Sequence, residues 1–164
     1  MLTYQFCHRP ARTTDLPLIA TFPQNAEELF FLFPRAVFPL TAEQLASELL
    51  HRSDATVVEW KGLVTGFANF YRWGSACCAI GNVVVAPYAR GHGIGGYLIR
   101  AMIDLARSKY STNEIQCSCF NHNTDALLFY AKLGFSPFGI EARQQKTGNG
   151  AENTVALIHM RLSV

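Results

Sequence analysis

The sequence predicts an α/β domain with a mixed central sheet of about seven strands flanked by helices. Three observations predict it. Segments of strand patterning and of helical period follow the order strand, helices, three strands, helix, strand, helix, two strands. One strand runs directly into a glycine-rich stretch that opens a helix, the junction expected of a right-handed crossover. Across 164 residues the chain is 49% apolar and only 16% charged, which points to elements covered on both sides. That length is one domain, 1–164, able to bury about 70% of its unfolded surface without staples.

The elements follow in order. A short strand is expected near Thr3–His8. A helical region, Thr13–Arg52, is broken at Pro17, Pro23, Pro34 and Pro39. Within it Asn25 reads as an N-cap with Glu28 reaching back, and Thr41 repeats that signal with Gln44. Ala55–Trp60 and Leu63–Tyr71 read as strands joined by a tight turn at Lys61-Gly62, and Ala76–Val85 as a third, stopped by Pro87. A helix from about Gly93 to Lys109 carries Ile94, Leu98, Met102 and Leu105 on one stripe, with Arg100 and Asp104 as an i,i+4 pair. Glu114–Phe120 is the next strand, Asn123–Leu133 the next helix, capped by Gly134. Phe135–Arg143 and Thr154–Leu162 close the chain around a turn at Lys146–Gly150.

Composition excludes several function classes. Fourteen basic and 12 acidic residues give a net charge of +2 with no basic stripe, so no nucleic-acid partner is expected. No apolar run reaches membrane-spanning length, so no membrane partner is expected either. The start MLTYQFCHRPAR lacks the charged and long apolar regions of a signal peptide. Five cysteines, an odd number with no CxxC, read as reduced thiols, and the expected location is cytoplasmic. Their spacing does not suit a metal, and none is expected.

The most informative stretch is Val83-Val84-Val85-Ala-Pro-Tyr-Ala-Arg90-Gly91-His92-Gly93-Ile94-Gly95-Gly96. Its four glycines leave backbone N–H groups unshielded, so several can turn toward one anion. The helix start adds about half a positive charge, and Arg90 a full one. Such a loop suits a phosphate or pyrophosphate. It is not a Walker A loop, because Gly95-Gly96-Tyr97 lacks the Gly-Lys-Ser/Thr ending, and it lacks the G-x-G-x-x-G spacing of a dinucleotide fold.

The order Val85-x-Pro87 followed by Arg90-x-x-Gly93-x-Gly95 resembles motif A of the GNAT superfamily of acyl-CoA-dependent N-acyltransferases. Asn123-x-x-Ala126-x-x-x-Tyr130-x-x-x-Gly134-Phe135 resembles a second motif of that superfamily, in the right order. The resemblance implies a sheet whose strands splay at an acyl-CoA cleft. It implies acetyl-CoA as cosubstrate, its pyrophosphate on Arg90, Gly91, His92, Gly93, Ile94, Gly95 and Gly96, and its pantetheine arm along Val83, Val84 and Val85. Asn123 would bond that arm or cap its helix. Tyr130, two turns on, would be the catalytic acid. A phenol of pKa about 10 can protonate a departing thiolate whose conjugate acid has pKa about 8.5.

The implied reaction is direct transfer of an acetyl group to a primary amine of a small molecule or peptide. Family members are often dimers, so a homodimer is among the expected assemblies. A general base is not evident. Some members carry Glu twelve residues before the Tyr, where this chain has Ser118, so deprotonation through water placed by Asn82 or Ser118 is expected. His159 reads as a sheet-face residue, and Glu141 as flanking a strand. The acceptor would lie between the early helices and the last strands, near some of Phe30, Phe31, Phe33, Phe38, Asn69, Tyr71 and Trp73. The missing base keeps a noncatalytic acyl-CoA sensor as the alternative. A generic phosphate-loop nucleotide binder is a further one.

Overall fold

A computed structural model of the chain describes residues 5–164. Its first strand, β1 (Cys7–Pro10), lies later than the Thr3–His8 reading, of which Thr3 and Tyr4 fall outside the described residues. β1 is an edge strand, where a proline costs no ladder bond. Arg9 ties it down, with Nη1 2.8 Å from Asp15 and Nε 2.9 Å from Glu59.

The prolines cut the next region into α1 (Leu16–Ile19), α2 (Ala26–Leu32) and α3 (Ala42–Leu49). Asn25 caps α2 by accepting from Glu28 N at 2.9 Å, and Thr41 caps α3 by accepting from Gln44 N at 3.2 Å. The return contacts differ from expectation. Glu28 accepts from Gln24 N rather than from Asn25 N, and Gln44 turns to the backbone of Val37.

β2 (Ser53–Trp60) and β3 (Leu63–Arg72) form a hairpin through Lys61 and Gly62, both at positive φ as a type I′ turn requires. Then come β4 (Cys78–Val85), α4 (Ile94–Tyr110), β5 (Glu114–Phe120), α5 (Thr124–Lys132), β6 (Ser136–Lys146) and β7 (Glu152–Ser163). Gly134, at φ +97, ends α5 as the sequence predicts. The sheet order is β1-β2-β3-β4-β5-β7-β6, with β4 and β5 parallel and every other neighbour antiparallel. α4 buries Ile94, Leu98, Ile99 and Met102 and packs on β2, β3 and β4. Among the described residues no helix is long and apolar enough to cross a membrane.

The feature that positions the site is the parting of β4 from β5. They pair only at Cys78–Ile115 and Ala79–Gln116, then separate. The register against β3 supplies the cause. Phe67 pairs with Val84 and Asn69 with Gly81, so two steps on β3 face three on β4. That extra residue is a β-bulge, which bends its strand. Asn82 sits in it at φ +53, a conformation Asn tolerates better than most residues. Its amide donates to Leu32 O and accepts from Asn69 Nδ2, each at 2.8 Å. Asn82→Ala removes both bonds, leaves buried groups unpaired and strains the backbone. It is expected to cost about 3 kcal/mol, read as a Tm fall of roughly 10 °C. A Tm within about 2 °C of the parent would show that Asn82 does not hold the bulge.

Candidate active site

The end of β4 leads through a short 3-10 turn, Pro87–Ala89, into the glycine loop and α4. Gly91 and Gly93 take φ +80 and +86, where a side chain is strained. Among the described residues an added Cβ at Gly91 meets nothing within 4 Å, and at Gly93 only the Phe6 ring at 4.0 Å, so no described side chain crowds these two glycines. Gly93 caps α4 without any side-chain bond, which leaves the first N–H groups of the helix as donors. Gly95 acts in packing instead. Its Cβ would lie 3.3 Å from Phe129, so its bareness lets α4 and α5 approach.

The cations near this loop are not arranged as the sequence suggests. Arg90 places Nη1 and Nη2 at 3.0 and 3.1 Å from the two carboxylate oxygens of Glu28, and its Nε donates to Val85 O. That guanidinium holds the Glu28 carboxyl below its ordinary range. Arg100 and Asp104 form no ion pair among the described residues. Instead Arg100 folds back over Gly96, with Nη1 3.3 Å from where a Cβ would stand. A guanidinium therefore lies at the start of α4, one turn from the glycines. The i,i+4 spacing of Gly96 and Arg100 was the available signal, masked by the equally spaced Asp104. His92 is exposed, and its ring lies 4.8 Å from the Trp60 ring. Its Nδ1 is 3.0 Å from Arg90 O and 3.2 Å from Ala89 O, so it braces the loop.

Val84 and Val85 stay paired with Phe67 and Gly66 on β3, while the β5-facing edge of Val83–Val85 has no strand partner among the described residues. Asn123 caps α5, accepting from Ala126 N at 3.3 Å. Tyr130, 6% exposed, packs between the rings of Phe129 and Phe135. Burial first, then nearby Cys117 and Cys119, pushes its ionisation well above that of an ordinary phenol. It therefore stays protonated and can donate. The contact of Cys117 with Cys119 and its burial both push its thiol up, away from the reactive thiolate.

A cleft of about 890 Å³ opens between α2, α3 and the last strands, the region expected to hold the acceptor. Phe30, Phe31, Phe33 and Tyr71 line it. Phe38, Trp73 and Asn69 do not line it, and Asn69 is instead buried against Asn82. Four side chains form a chain along its floor. Tyr71 Oη lies 3.1 Å from Ser118 Oγ, Ser118 Oγ 2.7 Å from His159 Nδ1, and His159 Nε2 3.1 Å from Glu141 Oε1. His159 is thus more than a sheet-face residue. Ser118 and His159 are cross-strand partners on β5 and β7, a pairing that sequence order alone does not disclose. Gly81 makes room for Tyr71, because a Cβ there would lie 2.8 Å from Cδ1 of that ring.

Residues 20–135 match the family model of the Acetyltransferase (GNAT) family. The chain belongs to the GNAT family of acetyltransferases. Solved structures agree on the fold. The ribosomal-protein-S18-alanine N-acetyltransferase from Escherichia coli superposes with a TM-score of 0.74 at 22% identity, over 98% of this chain and 94% of that one. A putative phosphinothricin N-acetyltransferase gives 0.76 at 16%, over 97% and 98%. The yncA protein of Salmonella typhimurium, a putative acetyltransferase solved with its cofactor acetyl-CoA, gives 0.67 at 22%, over 97% and 94%. A comparison with curated proteins found no match. The parted β4 and β5 are the strand splay that the GNAT resemblance implies.

Proposed function

We propose that this GNAT enzyme transfers an acetyl group directly from acetyl-CoA to a primary amine of a small molecule or peptide. One observation carries the reading. β4 parts from β5 beside an open, amide-rich loop, with the protonated Tyr130 packed beside Cys117 and Cys119 of β5. The loop fits a diphosphate. The space over Gly91 and Gly93 is open among the described residues, the first N–H groups of α4 carry no side-chain cap, and Arg100 supplies the cation that Arg90 gives to Glu28. The free edge of Val83–Val85 suits the amides of a pantetheine arm. Asn123 serves first as a cap, and Tyr130 gives its proton to the departing sulfur. The inert Cys117 supports direct transfer over an acyl-cysteine.

The cleft supports a substrate class. Arg35, Arg52, Arg72 and Arg143 line it against Glu48 and Glu141, beside an aromatic wall. Two more cations than carboxylates favour an amine that also bears a carboxylate, such as an amino acid, over a polyamine. Thiol release from acetyl-CoA with a panel of amino acids, polyamines and peptides tests this. Turnover on carboxylate-bearing amines ahead of polyamines is expected. Stabilisation by CoA with no turnover on any amine would favour the noncatalytic sensor.

A further inference from the structure

We propose that Ser118 and His159 form the proton relay that makes the acceptor amine nucleophilic, with Glu141 holding the imidazole. The inference rests on the N-acetyltransferase reading above and supplies the base that reading lacks.

The hydrogen-bond chain fixes the direction of proton flow. A carboxylate only accepts, so Glu141 at 3.1 Å takes the Nε2–H of His159. Nδ1 is then the imidazole's free lone pair, and it faces Ser118 Oγ at 2.7 Å. Ser118 donates to it and accepts from the Tyr71 hydroxyl at 3.1 Å, which leaves one lone pair of the serine oxygen as an acceptor toward the cleft. An ammonium bound there can hand a proton to Ser118 as Ser118 hands its own to His159. Glu141 balances the imidazolium that results, as a carboxylate does in other oriented imidazole bases.

The scaffold is built around this row. Ser118 and His159 are register partners, as are Gly139 and His159. Gly139 lies directly beside the ring, where an added Cβ would stand in ordinary contact, 3.5 Å from His159 Cδ2. The relay lines the same cleft as the proposed acceptor pocket. The groups facing the imidazole are Ser118 on β5, Glu141 on β6 with Arg143 2.7 Å from it, and the Phe138 ring on β6; Tyr71 on β3 stands beyond Ser118.

The protons balance. The ammonium sheds two as the C–N bond forms and the thioester C–S bond breaks. One leaves through Ser118 and His159 to solvent. The other offsets the proton that Tyr130 gives to the sulfur, so the thiol, the amide and one released proton are the products.

The test is steady-state kinetics of the full chain with acetyl-CoA and its best amine from the panel, over a pH series. His159→Gln is expected to lower kcat roughly 10²-fold, with KM for acetyl-CoA unchanged. The deficit shrinks as pH rises toward the amine's own deprotonation, because hydroxide then replaces the relay. Ser118→Ala gives a smaller loss with the same pH trend, and it guards against a folding defect in the first variant. In the wild type, nitrogen NMR of His159 shows the Nε2–H tautomer. Wild-type kcat surviving in His159→Gln, a pH-independent deficit, or an Nδ1–H tautomer would overturn the relay while leaving the transferase reading intact. An acetyl group trapped on Ser118 would replace the relay with an acyl-enzyme. No turnover by the wild type on any amine would overturn the transferase reading itself, and the relay with it.

Discussion

Tyr130→Phe is expected to lower kcat by roughly 10²-fold or more while leaving CoA affinity nearly unchanged. The substitution isolates chemistry from structure unusually well. The ring keeps its contacts with Phe129 and Phe135. Burial and neighbouring thiols, with no hydrogen bond, account for the ionisation of its hydroxyl, so little stability is lost with that oxygen. What disappears is the proposed proton donor to the sulfur. The pH profile adds a signed expectation. Burial raises the Tyr130 ionisation, so the phenol stays protonated up to and beyond pH about 10, and kcat shows no decline from its loss below that. Stopped-flow thiol detection and calorimetric CoA titration of the variant measure the two quantities separately. A kcat equal to the parent's would remove Tyr130 from the reaction.

Gly93→Val is expected to weaken CoA binding by at least about 10²-fold. At φ +86 a β-branched residue is strained by roughly 1–2 kcal/mol or more, so the loop relaxes and its N–H groups lose their common aim. The isopropyl group also enters the space over Gly93, where the proposed diphosphate would approach. Among the described residues beyond its chain neighbours, the nearest atom to an added Cβ is the Phe6 ring at 4.0 Å, so the fold is expected to survive and the defect to read as binding. Thermal shift with CoA measures it. Parental affinity in a folded variant would refute the loop's role.

The residues that periodicity and capping govern were legible in the sequence. β5 at Glu114–Phe120, the Lys61-Gly62 turn, the Asn25, Thr41 and Asn123 caps and the Gly134 stop all follow from local chemistry. What depends on register or on competition between partners was not. Asn82 carries no local mark of a bulge; only the pairing of β3 with β4 reveals it. Arg90 reads as a phosphate contact until Glu28, 62 residues away, is seen to claim it. Arg100 had two partners at helical spacing, and the sequence cannot say which side it takes. Ser118, His159 and Glu141 come from three strands, and their contact exists only because β7 lies between β5 and β6.

The claim on which the rest depends is that the N–H groups between Arg90 and Gly96 hold the diphosphate of CoA at the mouth of the parted strands. Isothermal titration of the folded protein with CoA and with acetyl-CoA measures it directly. Saturable heat for one ligand per chain is expected with both, lost in Gly93→Val and kept in Tyr130→Phe. No heat from either ligand at millimolar concentration would contradict it.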